Sequence, residues 1–148
     1  MARMSLDPQS LRGLADFRAA LRQFLAASEV ISQGAGVTQQ QYQALLAIKT
    51  WSAEAMTMKD LAEQLLLTHH AAVQLVNRLS RAGLAERAPS RGDRRSVELS
   101  LTRVGDALVE SLAAEHLREM RRQGPLLAAA LRRLRAIHPA QDGEPDGA

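Results

Sequence analysis

"THHAAVQLVNRLSRAGLAERAPSRGDRRSVELSLT", residues 68–102, changes its periodicity twice, and those changes decide the fold. Up to Arg81 the apolar residues recur at helical spacing. Ala72, Leu75, Val76 and Leu79 fall together at about 100° per residue and must face a core. His70, Gln74, Asn77 and Arg81 recur on the opposite side, which makes it a row of hydrogen-bonding side chains. Thr68 is a helix-capping residue, and Gly83 suits the left-handed position that closes the helix. The period then drops to two. "LAER" (84–87) reads as one short strand and "SVELSL" (96–101) as a second, with Val97, Leu99 and Leu101 on one face and Ser96, Glu98 and Ser100 on the other. Between the strands, Arg91, Arg94, Arg95 and Asp93 crowd around Gly92 on the tip of a hairpin.

Working outward, "TMKD" (57–60) is a second cap-like pattern and opens a short helix, with Leu61, Leu65 and also Leu66 expected inward. Thr38, with Gln41 three residues on, starts a further helix whose buried face is Tyr42, Leu45 and Leu46. Asp7-Pro8 begins a long first helix. Leu14, Phe17, Leu21, Phe24, Ser28 and Ile31 give that helix a heptad-like seam, and "QGAG" (33–36) ends it. On the other side Thr102 caps a helix expected to run to about Gln123, with Val104, Leu108, Leu112, Leu117 and Met120 inward. Gly124-Pro125 is expected to break it, leaving a last helix with Leu126, Leu127, Ala130, Leu131, Leu134 and Ile137.

Composition narrows the function classes. The chain of 148 residues has no cysteine, which excludes disulfides, iron–sulfur clusters and thiol switches. A chain of this length buries enough surface to fold without a metal staple. No apolar run suits a signal peptide or a membrane span, so the protein is expected to be soluble and cytoplasmic, with no membrane partner. The formal net charge is only +3, yet the last eleven residues hold three acids and no Lys or Arg. The basic groups therefore concentrate in the folded part, and four arginines lie between Arg87 and Arg95. Such a patch points to a polyanion.

An enzyme is not expected. There is no phosphate-cradling glycine loop, no Ser/His/Asp spacing and no identifiable pair of catalytic acids. Adjacent His69 and His70 point about 100° apart on a helix and cannot share one ion, and His116 and His138 have no ligand-spaced partner. No metal or cofactor is expected, and His116 reads as a helical histidine bonded within its own segment.

A short capped helix, the "LLLT" turn and a second helix with an exposed polar face make a helix-turn-helix, in which the second helix enters the major groove by its N-terminal end. Arginines on a hairpin tip suit the narrow, negative minor groove, and Asp93 can hold a neighbouring arginine in one direction. The shortage of exposed aromatics argues against RNA. A helical adaptor that keeps the shape without reading DNA is the alternative, and it leaves the wing arginines unexplained.

The segments "VTQQQYQALLAI", "MTMKDLAEQLLLTHHAAVQLVNRLSRAGLAER" and "GDRRSVELSLTRVGDAL" resemble the MarR family of winged helix-turn-helix transcriptional regulators. The resemblance covers nearly the whole chain except the acidic tail, and Asn77 stands where the family more commonly has Asp. It implies a mainly α fold with a small β-hairpin wing, in which a DNA-binding core of residues 38–102 is flanked by dimerisation helices 5–35 and 103–138. Residues 139–148 are left as a disordered tail. It further implies a homodimer on double-stranded DNA, usually a repressor released from a pseudo-palindromic operator by a small-molecule effector. The DNA-binding candidates are Thr68, His69, His70, Ala71, Gln74 and Asn77 on the helix, and Arg91, Asp93, Arg94 and Arg95 on the wing. Phe17, Phe24, Tyr42 and Trp51 are the aromatics available to an effector pocket, but no effector residue is assigned.

Overall fold

The computed structural model describes residues 6–52, 54–90, 92 and 95–137. The expectations for Arg91, Asp93, Arg94, His138 and the tail 139–148 concern residues outside that set. In chain order the elements are α1 (Pro8–Gly34), α2 (Gln39–Thr50), β1 (Met56–Thr57), α3 (Met58–Gln64), α4 (His69–Arg81), β2 (Ala85–Pro89), β3 (Val97–Leu101) and α5 (Arg103–Ala136). The chain divides into two compact units, Ser28–Leu117 and a second made of 1–27 with 118–148.

The expected caps start the short helices of the first unit. Thr38 Oγ1 accepts the Gln41 N–H at 3.1 Å while Gln41 Oε1 accepts the Thr38 N–H at 2.8 Å. Thr57 and Asp60 repeat the arrangement at 3.2 and 2.9 Å. Reciprocal capping satisfies amide groups that a helix end otherwise leaves bare, and each cap contributes about 1 kcal/mol. Behind the caps lies one apolar cluster: Tyr42, Leu45 and Ile48 of α2, Leu61 of α3, Leu75, Val76 and Leu79 of α4, Leu99 of β3, and Val109 and Leu112 of α5. Full burial of each such aliphatic side chain contributes about 1.5–3 kcal/mol. The face of α4 read from helical spacing as buried is the buried one.

The sheet has the order β1-β3-β2, antiparallel throughout. The β2–β3 ladder pairs Ala85 with Leu101, Arg87 with Leu99 and Pro89 with Val97. β1 was not expected, because two residues are too short to show alternation. It pairs Met56 with Leu99 and so lays a third strand on the inner edge of the hairpin. Gly83 takes the left-handed conformation (φ 71°) between α4 and β2. The start of α5 docks on this turn: Thr102 Oγ1 donates to the Gly83 carbonyl at 2.6 Å, and the Thr102 N–H donates to the Leu84 carbonyl at 3.1 Å.

Three expectations are corrected. α5 is not broken at Gly124-Pro125; it continues to Ala136 with Pro125 inside. A proline removes only its own N–H, and the glycine before it has no Cβ to meet the pyrrolidine ring, so the helix survives. Leu66 does not point inward but is 93% exposed. On α5, Leu108 and Leu112 face the core as expected, but the other three residues of the expected face do not. Val104, Leu117 and Met120 are exposed, whereas Gly105, Val109 and His116 are buried. His116 stacks flat on Tyr42 with ring centroids 4.1 Å apart, and its Nδ1 lies 2.8 Å from the Leu112 carbonyl. Nδ1 is the donor in this contact, since a carbonyl can only accept. Burial raises the Tyr42 pKa above that of an ordinary phenol.

The second unit holds the ends of α1 and α5, with Ala130 buried and Gly13 against Leu134 and Ile137. Leu11, Leu14, Leu21 and Leu25 of α1 and Met120, Leu126 and Leu131 of α5 are exposed there.

Candidate nucleic-acid interface

The N-terminal end of α4 is built from its cap. Thr68 is extended (φ −66°, ψ 157°), and its Oγ1 accepts the Ala71 N–H at 3.1 Å. One of the bare amides is thereby satisfied, while the hydroxyl hydrogen remains able to donate outward. Thr68, His69, His70 and Gln74 are exposed, and Ala71 and Asn77 are half-buried. Ala72, Leu75, Val76 and Leu79 fix the opposite side in the core, so the exposed row cannot rotate away. An amide-rich helix end with partial positive charge is a receptor for a phosphate oxygen. Gln74, more than a turn along on the exposed side, has the bidentate donor and acceptor set that an adenine edge requires.

The wing is closed at its base by Ser90. Its N–H donates to the Ser96 carbonyl at 2.9 Å, and its hydroxyl donates to Glu98 Oε1 at 3.1 Å and accepts the Gly92 N–H at 3.4 Å. The tip is therefore held to the strands by side-chain as well as backbone bonds. Arg95 is exposed at the return of the hairpin, and Gly92 is exposed at its tip. Arg91, Asp93 and Arg94 lie outside the described residues.

Helix and wing meet in a cleft of about 200 Å³. His69 from α4 and Arg95 from the wing, both candidates from sequence, line it together. So do Lys59 at the start of α3 and Arg87 on β2, which sequence reasoning did not single out. Nothing local could have found them. Arg87 was visible only as a member of a basic run, and Lys59 is far from the wing along the chain. The pairing of Arg87 with Leu99 and of Thr57 with Glu98 brings them to one place. Lys59, Arg87 and Arg95 thus bring basic side chains, beside His69, to the cleft where the two elements meet.

A different ion network lies between α2 and α5. Lys49 Nζ is 2.6 Å from Asp106 Oδ1 and 3.2 Å from Glu110 Oε1. The Lys49 pKa is raised, first by the hydrogen bond to Asp106. Beside it Trp51, half-buried, lines a groove of about 450 Å³ with Met56, Leu99 and Asp106. Among the described residues no group of three or more His, Asp or Glu side chains could hold a metal ion, and no helix is long and apolar enough to cross a membrane.

The fold is similar to that of known proteins. Residues 35–96 match the model of the MarR family. Over 74 residues, half of this chain, the sequence is 39% identical to the organic hydroperoxide resistance transcriptional regulator of Bacillus subtilis strain 168; the match spans 49% of that relative's length. Among solved structures, AbsC, a MarR family transcriptional regulator from Streptomyces coelicolor, is similar with a TM-score of 0.75 and 23% identity over 80% of each chain. The MepR–DNA complex of Staphylococcus aureus is similar with a TM-score of 0.62 and 22% identity, over 82% of this chain and 98% of that one. At those identities the structural likeness shows a shared winged-helix fold.

Proposed function

We propose, from the match of residues 35–96 to the MarR family model, that the protein is a MarR-type homodimeric, sequence-specific DNA-binding regulator of transcription rather than an enzyme. The carrying observation is the cleft where the N-terminal end of α4 meets the wing, with His69, Arg95, Lys59 and Arg87 on its walls. α4 lies in the major groove, with Thr68, His69, His70 and Ala71 at the entering end and Gln74 and Asn77 further along. The wing, with Asp93, Arg94 and Arg95, reaches the minor groove, and Arg91 contacts phosphate.

The second copy is supported by the 1–27 and 118–148 unit. A monomer would leave Leu11, Leu14, Leu21 and Leu25 together with Met120 and Leu126 in water. Exposed apolar faces of that extent mark an association surface. Two-fold symmetry then requires an inverted repeat with half-sites about 10 bp apart. The regulator acts in the cytoplasm as a repressor, released by a small-molecule effector.

The test is selection of duplexes from a random pool by the wild-type chain and by Gln74→Ala. The wild type should enrich an inverted repeat with that spacing. Gln74→Ala should retain nonspecific affinity while losing preference at one position per half-site. If no repeat is enriched, specific reading is wrong. If specific and nonspecific affinity fall together, Gln74 is not a base reader.

A further inference from the structure

Among the described residues, Leu66 is the one non-glycine residue with a positive φ, at 55°. It ends α3. The Leu67 N–H donates to the Ala62 carbonyl at 2.9 Å and the Leu66 N–H to the Glu63 carbonyl at 3.3 Å, the crossed pair of bonds that closes a helix around a left-handed residue. Glycine takes this position without cost, as Gly36 and Gly83 show after α1 and α4. A leucine there pushes its Cβ against its own backbone. The fold recovers nothing in return, for the side chain is 93% exposed while Leu65 and Leu67 on either side pack against the core.

A strained backbone that carries a solvent-exposed apolar side chain points to a partner outside the chain. The place of Leu66 identifies the partner. It lies two residues before Thr68, in the turn that leads into the exposed end of α4. Its exposed neighbours Glu63, Gln64, Thr68 and His69 are all polar, so it is an isolated apolar group and not part of the broad patch a protein interface needs. A duplex approached by the α4 N-terminus presents, beside each phosphate, the C–H edge of a deoxyribose and, in the groove, the methyl group of thymine. Both are apolar surfaces of single-side-chain size.

We infer that Leu66 is an apolar DNA contact, seated on the sugar edge or a thymine methyl next to the phosphate that the N-terminus of α4 receives. This rests on the DNA-binding reading above. The contact neutralises no phosphate, so it adds affinity without adding to the salt dependence. It also accounts for leucine where the fold alone favours glycine.

The experiment measures melting temperature, sedimentation and anisotropy of a fluorescein-labelled duplex carrying the selected repeat, for wild type, Leu66→Gly, Leu66→Asn and Leu66→Met. Gly and Asn both accept the left-handed backbone, and Met keeps an apolar side chain. Leu66→Gly and Leu66→Asn should melt at or above the wild type, remain dimeric, and bind about three- to tenfold more weakly with an unchanged slope against salt. Leu66→Met should bind like the wild type. Equal affinity of Leu66→Gly and wild type would overturn the inference. So would a lower melting temperature in both Gly and Asn variants, which would give the leucine a role inside the fold, or a loss of dimer, which would seat it on a second copy. Failure of the wild type to bind any duplex would instead remove the DNA-binding reading itself.

Discussion

At the scale of single residues Gly105 answers a demand of folding, whereas Arg95 is proposed to answer that of a partner. Gly105 sits in the first turn of α5, where a Cβ would overlap the backbone carbonyl oxygen of Leu84. The obstacle is backbone and cannot swing aside. Gly105→Ala should therefore cost on the order of 3 kcal/mol in urea unfolding, despite the better helix propensity of alanine. A variant as stable as wild type would mean that α5 does not approach the α4–β2 turn so closely. Arg95 is exposed on the wing and outside the apolar core. Its truncation to alanine should leave the unfolding free energy in urea within about 0.5 kcal/mol of wild type and weaken operator binding by about 1–3 kcal/mol. Unchanged affinity would remove the wing from the interface.

At the scale of elements, local signals and their absence explain what could be read. The caps at Thr38, Thr57 and Thr68 and the closing Gly83 are short-range chemistry, and each stands where its residue pattern places it. The buried face of α4 follows from spacing alone, because four apolar residues on one side leave no other solution. β1 was illegible, since two residues acquire strand geometry only by pairing with Leu99 and Glu98, about forty residues further on. Leu66 misled for the opposite reason: three leucines in a row suggest a core, while the left-handed turn sends the middle one out. The cleft was half legible. His69 and Arg95 could be chosen from their own elements, but Lys59 and Arg87 join them only through the sheet register. Pro125 misled through a rule that holds for most helix interiors. Because α5 is continuous there, Pro125→Ala restores one backbone bond and should stabilise the protein by on the order of 1–3 kcal/mol, read as a raised urea midpoint and more helical circular dichroism. Lower stability would show that the chain needs an interruption at that point.

At the scale of the molecule, charge and apolar surface are placed for different partners. The basic groups of α3, α4 and the wing meet in one cleft of the Ser28–Leu117 unit, while exposed Leu11, Leu14, Leu21, Leu25, Leu126 and Leu131 belong to the other. The first arrangement suits a polyanion and the second suits another copy of the chain. A dimer with three phosphate contacts per copy would lose about a thousandfold in affinity between 50 and 200 mM salt. The direct measurement is a titration of the labelled repeat duplex across that salt range, with the stoichiometry of the complex fixed by sedimentation. Two chains per duplex, with affinity falling steeply and linearly on logarithmic axes as salt rises, is the predicted result. A chain that sediments as a monomer at the concentrations of the titration, or binds no duplex in dilute buffer, would contradict the account.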